Sequence, residues 1–222
     1  SFDVVLRDTS GIGVAEIEGS QNEQRLEYSR VQLPNPVAGI RLSFKANRPE
    51  QQRIQLYGIS LENECSGLLY HSIGVNGARF KHYNAARHFA RQLSALSPDL
   101  IIISLGTNEA SAYPRINPNF SGEVDAMVRS LRETNPASKI LLVTPPVSFR
   151  NKTKSNPGVL LIRDQLVRYA VKNGLAFYDL YDVMGKDAGT AVWNQAGMLR
   201  PDGVHFTKSG YEHQGNLLFG AI

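Results

Sequence analysis

The stretch "PDGVHFT", residues 201–207, sets Asp202 and His205 three positions apart, and "LGTNEA", residues 105–110, sets Gly106 and Asn108 behind the apolar run "DLIIIS". A carboxylate at that spacing, in a loop or a first helical turn, can fix the tautomer of the imidazole while the other ring nitrogen acts as general base. Gly77, in "GVNGAR", and Asn108 are the kinds of donor that hold an oxyanion in acyl transfer, a backbone N–H and a side-chain amide. Each also has a plainer reading: strand-end glycines permit tight turns, an asparagine caps a helix, and D-x-x-H opens a surface helix. What the set lacks is an evident nucleophile.

The other reactive side chains point to no metal and no organic cofactor. His71, His82, His88 and His213 form no H-E-x-x-H, and His82 and His88, six residues apart, are separated by about 240° around a helix and share no face. The single Cys65 excludes an internal disulfide and a multi-cysteine metal cage, and with no motif beside it is read as structural.

The elements that must position these residues follow from periodicity. From residue 67 onward strand-like and helix-like segments alternate. "GLLYHSIG" (67–74), "DLIIISLG" (99–106), "KILLVTPP" (139–146) and "LAFYDLYDV" (175–183) read as strands, the second apolar throughout as in a strand buried on both faces. Between them, Ala86, Phe89, Ala90 and Leu93 mark one helix face, and Val124, Met127, Val128 and Leu131 another after a Ser121 cap. A third helix covers 158–173, and a last one starts near Ser209. This order predicts an α/β fold with a doubly wound parallel sheet in three layers, in which ligands bind beyond the carboxyl ends of the strands. Residues 1–66 differ: "RLEYSRVQL", "GIRLSFKAN" and "RIQLYGISLE" predict a β-rich module without helix, with the boundary near Ser66.

The 222 residues, 42% hydrophobic and 20% charged, suffice for one ordinary core and a small second module. No run reaches the roughly 18 apolar residues of a membrane helix. The net charge of +4 argues for no nucleic-acid partner. It is uneven: residues 1–66 hold 7 Lys and Arg against 9 Asp and Glu, net −2, and residues 67–222 hold 17 against 11, net +6. The second part therefore favours an anionic polymer or carries only a basic solvated surface.

"GVNGA", "GTN" and "DGVH", in this order on this βαβ pattern, resemble the SGNH (GDSL-type) hydrolase family over about residues 68–222. "YHSIGVNGARFKHYN" and "SLGTNEA" are similar to its peptidoglycan O-acetylesterases. The resemblance implies a flavodoxin-like three-layer fold and a serine esterase that removes O-acetyl groups from a cell-wall or other polysaccharide. It implies Gly77 and Asn108 as oxyanion donors, Asp202 and His205 as dyad, and a periplasmic or extracellular location. In those O-acetylesterases a carbohydrate-binding-like β module is inserted between the first and second blocks, which would account for residues 1–66.

The departure is the first block. No Gly-Asp-Ser occurs in the chain, and in the family that block ends a central strand and carries the nucleophile. The expectation is therefore that strand and serine lie upstream of Ser1, on an N-terminal fragment either still associated or lost, and that this chain should not fold stably alone. The internal candidate is Ser10, in "FDVVLRDTSGIG", a degraded form of the block. Arg150, Lys152 and Lys154 are candidates to hold an anionic glycan or else decorate a solvated loop, and Trp193 either stacks on a sugar or packs. Two other functions fit the same residues: an inactive carbohydrate-binding protein on an esterase scaffold, and a lipase or acylhydrolase acting on small or lipid esters.

Overall fold

A computed structural model describes residues 3–8, 13–17, 33, 37, 39–46, 49–50, 52–53, 56–63 and 65–222 of the chain. The chain divides into two compact units, Ser1–His71 and Ser72–Ile222. In the first, β1 (Asp3–Asp8), β2 (Gly13–Ile17) and β3 (Ile40–Lys45) form an antiparallel sheet in the order β2-β1-β3. Ser10 lies outside the described residues. Of the anticipated strands, "GIRLSFKAN" contains β3, most of "RLEYSRVQL" lies outside the described residues, and the described part of "RIQLYGISLE" carries no strand. Cys65 is exposed rather than packed, so the structural role expected of it has no support in burial.

The second unit is built on a parallel sheet of β4 (Leu100–Ser104), β5 (Lys139–Val143) and β8 (Ala176–Tyr178), in the order β4-β5-β8. The crossovers are α4 (Phe120–Thr134) and α5 (Pro157–Lys172), which pack on one another. Their apolar stripes form the core: Val124, Met127, Val128 and Leu131 of α4 and Val159, Ile162, Leu166 and Ala170 of α5 are buried against Ile101, Ile103 and Ile140–Val143. Asn156 caps α5 by accepting the Gly158 N–H at 3.0 Å, with Pro157 in the first turn, where a missing N–H costs nothing.

Three local expectations change. The helix expected over the Ala86–Leu93 stripe is two short ones, α1 (Phe80–Ala85) and α2 (Phe89–Leu93), and α4 starts after Asn119, ahead of Ser121. Only 176–178 of the last anticipated strand are extended; Leu180–Val183 turn into α6, whose Asp179 cap accepts from the Asp182 N–H. Two further helices follow, α7 (Lys186–Gln195) and α8 (Lys208–Phe219), the latter capped by Thr207.

The largest difference concerns residues 67–74, which form no strand. Leu68 is 88% and Tyr70 75% exposed. A strand of a parallel sheet needs a neighbour to satisfy its backbone groups, and among the described residues none is paired with this run. Likewise β4 pairs with β5 alone, and its other edge has no strand beside it among the described residues. Four consecutive apolar residues without a charge or proline are the composition of an interior strand, and natural sheet edges avoid it.

Candidate active site

The sheet's carboxyl edge is assembled by groups that follow the strands. After β5, Thr144 continues the ladder through its N–H to the Tyr178 carbonyl at 3.0 Å, and its hydroxyl donates to Asp179 Oδ1 at 3.0 Å. Arg163 of α5 is paired with Asp179, and the Tyr181 N–H donates to the Thr144 hydroxyl. This network fixes where the loop after β5 leaves the sheet. After β4, Gly106 adopts φ +124, and a Cβ there would come within 2.8 Å of Ile162 Cγ2. Only glycine turns the chain so sharply against α5, which starts α3 (Thr107–Ala110) directly at the strand end.

Asn108, on α3, donates through Nδ2 to the Ala78 carbonyl at 2.9 Å. One amide hydrogen is thus tied to the residue after Gly77 and the second remains to donate. Gly77, at φ +74, is exposed, and its N–H donates to no described residue. Glu109 makes a second tie. It is 5% exposed, and its Oε1 accepts the Phe80 N–H at 2.8 Å. Phe80 is itself fully buried and packs edge-on against Phe120, with ring centroids 5.5 Å apart. Neighbouring residues of α3 therefore hold the 77–80 loop from two points.

Glu109 had no assigned role in the sequence, because its burial arises from the loop folding over it. That burial, ahead of any nearby charge, pushes its carboxyl pKa up, and Oε2 is buried without a hydrogen-bond partner. A folded-state pKa above the unfolded one means that stability falls as pH rises through it. Glu109→Gln, which keeps a carbonyl for the Phe80 N–H, should therefore melt at or above the wild-type temperature at pH 7 and lose that advantage in acid. Glu109→Ala should be less stable by about 1–3 kcal/mol, the cost of a buried N–H left unpaired. Thermal melts at two pH values check both.

Asp202 and His205 form the second cluster. Asp202 Oδ1 accepts the backbone N–H groups of Val204 and His205, each at 2.8 Å, and Oδ2 lies 2.9 Å from His205 Nδ1. These bonds, that of the His205 N–H foremost, hold the carboxyl at about 2, below its ordinary 3.8. The carboxylate is therefore an acceptor at any working pH, and Nδ1 carries the proton between them, which leaves Nε2 as the basic nitrogen. The loop is pinned on both sides of the histidine: the Arg200 N–H donates to the His205 carbonyl at 2.8 Å, and Leu199 bridges to Phe206. Trp193, buried, meets Phe206 edge-on at 5.7 Å and His213 at 5.1 Å. It packs under the histidine loop and is not available to stack on a sugar.

Contacts connect the clusters. Phe149 donates its N–H to the Gly203 carbonyl at 2.7 Å, and a Cβ on Gly203 would lie 2.9 Å from that of Phe149. Phe149 and Arg150 form β6, paired with β7 (Lys154–Ser155), so residues 147–157 contain a hairpin rather than an open loop. The Arg150 guanidinium sits 5.1 Å from the ring centroid of Tyr113, which follows α3. The chain beyond Asn108 and the chain beside His205 thus meet through the hairpin. No hydroxyl of a described residue is hydrogen-bonded to His205, and no group of three or more His, Cys, Asp or Glu among the described residues could hold a metal ion. No helix among them is long and apolar enough to cross a membrane.

The sequence profile of the GDSL-like Lipase/Acylhydrolase family matches residues 47–213. Among solved structures, a peptidoglycan O-acetylesterase is similar at 26% identity and TM-score 0.61 over 66% of this chain and 43% of the other. An acetyl xylan esterase (16% identity, TM-score 0.54, 68% of this chain and 79% of the other) and a lipase/acylhydrolase from Enterococcus faecalis (20%, 0.50, 64% and 69%) share the fold. The chain spans less than half the length of that O-acetylesterase. Comparison with the curated proteins found no match.

Proposed function

Because the chain belongs to the GDSL-like lipase/acylhydrolase family, whose members are ester hydrolases, we propose that it is the dyad-bearing part of a serine esterase that removes O-acetyl groups from a cell-wall polysaccharide outside the cytoplasm. The observation that carries this reading is the 2.9 Å contact of Asp202 Oδ2 with His205 Nδ1, in an aspartate whose other oxygen is held by the same loop. The similarity to a peptidoglycan O-acetylesterase supports the acetylated-glycan substrate. In this reading residues 1–66 belong to an inserted carbohydrate-binding-like module.

The nucleophile in this proposal is a serine on a strand outside the 222 residues, paired with the open edge of β4. Its Oγ attacks the acetyl carbonyl carbon while His205 Nε2 takes the hydroxyl proton. The Gly77 N–H, the free Asn108 amide hydrogen and the serine N–H stabilise the oxyanion. As the tetrahedral species collapses, the bond to the sugar oxygen breaks and Nε2 returns the proton to that oxygen. Water, deprotonated by the same nitrogen, then attacks the acetyl-serine, releasing acetate and restoring the hydroxyl.

Asn108→Ala, assayed in the natural polypeptide, should lower kcat on an acetyl ester by roughly 10²- to 10³-fold, about 2.7–4 kcal/mol, with little change in KM. Unchanged turnover would remove Asn108 from the oxyanion site. The lack of a hydroxyl at His205 among the described residues favours a second reading, a glycan-binding protein without catalysis. Glycan affinity in calorimetry with no ester hydrolysis by the whole polypeptide would select it.

A further inference from the structure

We propose that the β6–β7 hairpin, with Arg150 over the ring of Tyr113, is a subsite for carboxylate groups of an acidic polysaccharide, so that the acetylated glycan processed beside it carries uronate-type or other carboxylate-bearing sugars. The proposal rests on the esterase reading for its substrate, and on the hairpin alone for its chemistry.

Arg150, Lys152 and Lys154 are exposed within five residues. Among the described residues no carboxylate pairs with any of them. Asp202, beside the hairpin through Gly203, is engaged by His205 and its own loop. The register makes the surplus costly, since Arg150 is the direct cross-strand partner of Lys154. Like charges facing one another across a ladder repel, and a bound anion would convert that repulsion into attraction. The turn places Asn151 at φ +54 and Lys152 at φ +65, the left-handed region that tight hairpin turns use, which asparagine tolerates and lysine seldom adopts.

Geometry says what kind of anion. The Arg150 guanidinium carbon lies over the Tyr113 ring, 5.1 Å from its centroid, a cation–π contact that leaves N–H donors of the guanidinium for an anion, and that fork of donors matches a planar carboxylate. The position is adjacent to the chemistry: Phe149, the preceding residue, is hydrogen-bonded to Gly203, between Asp202 and His205. A chain of charged sugars held by the hairpin would therefore present its neighbouring residue to the dyad.

The test is calorimetric titration of the whole polypeptide with polygalacturonate, neutral xylan and inorganic polyphosphate. Polygalacturonate should bind, and more tightly than either of the others. Its affinity should collapse between about 0.01 and about 1 M NaCl, as the screening length falls from about 30 to about 3 Å. Arg150→Ala should weaken it about tenfold, as expected for one charge-assisted bidentate contact. Arg150→Lys should recover only part of that, whereas Lys172→Ala, an equal charge change at the far end of α5, should leave affinity unaltered. Equal affinity for wild type and Arg150→Ala overturns the proposal, as does tighter binding of xylan or polyphosphate. Acetate release from acetylated polygalacturonate, acetylated xylan and 4-nitrophenyl acetate is followed separately. No release from any of the three sinks the esterase reading and leaves the calorimetry to decide the subsite.

Discussion

His205→Ala is expected to abolish turnover of acetyl esters by the natural polypeptide, with a loss in kcat on the order of 10⁶, and Asp202→Asn to cost on the order of 10³–10⁴. The ordering follows from the proposed roles. Without the imidazole nothing takes the serine proton, whereas an asparagine at 202 still accepts the two backbone N–H groups but offers Nδ1 a less selective partner, so part of the population holds the wrong tautomer. Asp202 and His205 are about half exposed, with side-chain accessibilities of 48% and 54%, and water can replace some of the lost orientation. The Asn variant thus belongs nearer the lower bound. Its stability carries a separate signature. The folded pKa of Asp202 is depressed to about 2, so its contribution to stability is present above about pH 4 and disappears as pH falls through the folded value. Melting curves of wild type and Asp202→Asn should therefore converge in acid. Equal kcat for wild type and His205→Ala would remove the histidine from the mechanism.

What was legible in the sequence was whatever depends on local order. Asp202 and His205 are joined by a spacing that a single turn closes, and the stripes of α4 and α5 were visible because packing on a sheet demands them. Gly106 could be placed at a strand end by the apolar run before it. Contacts made by distant parts of the chain had no such signal. Glu109 is buried only because residues 77–80 fold across it, and the meeting of Arg150 with Tyr113 depends on a hairpin too short to show alternation. Trp193 was ambiguous for the same reason: an isolated aromatic residue reveals nothing of whether Phe206 lies beneath it. The run 67–74 shows the opposite case, a strand by composition that is not one in the structure, since a strand exists only with a partner.

That partner is the basis of the second large effect. If a strand carrying the nucleophilic serine pairs with the free edge of β4, a fluorophosphonate should label a polypeptide containing it, and the 222-residue chain by itself should take up none. The contrast is all or none, because a labelled serine needs His205 Nε2 within hydrogen-bond reach to be reactive. Stability should change in the same direction. Leu100–Ile103 is apolar on both faces, and Leu142 and Val143 on the neighbouring strand β5 are already buried. Covering its outer edge would satisfy the backbone groups of a strand built for the interior of a sheet, each worth about 1–3 kcal/mol when otherwise buried and unpaired. Amide exchange of Leu100–Ser104 and of 67–74 should slow markedly in the longer polypeptide, since a central strand would be bounded by both. Labelling of the 222-residue chain at Ser10, or at any other serine within it, would place the nucleophile inside the chain and refute the strand proposal. Exchange unchanged in the longer polypeptide would show that β4 is a true edge, and the serine would then have to reach His205 from a loop.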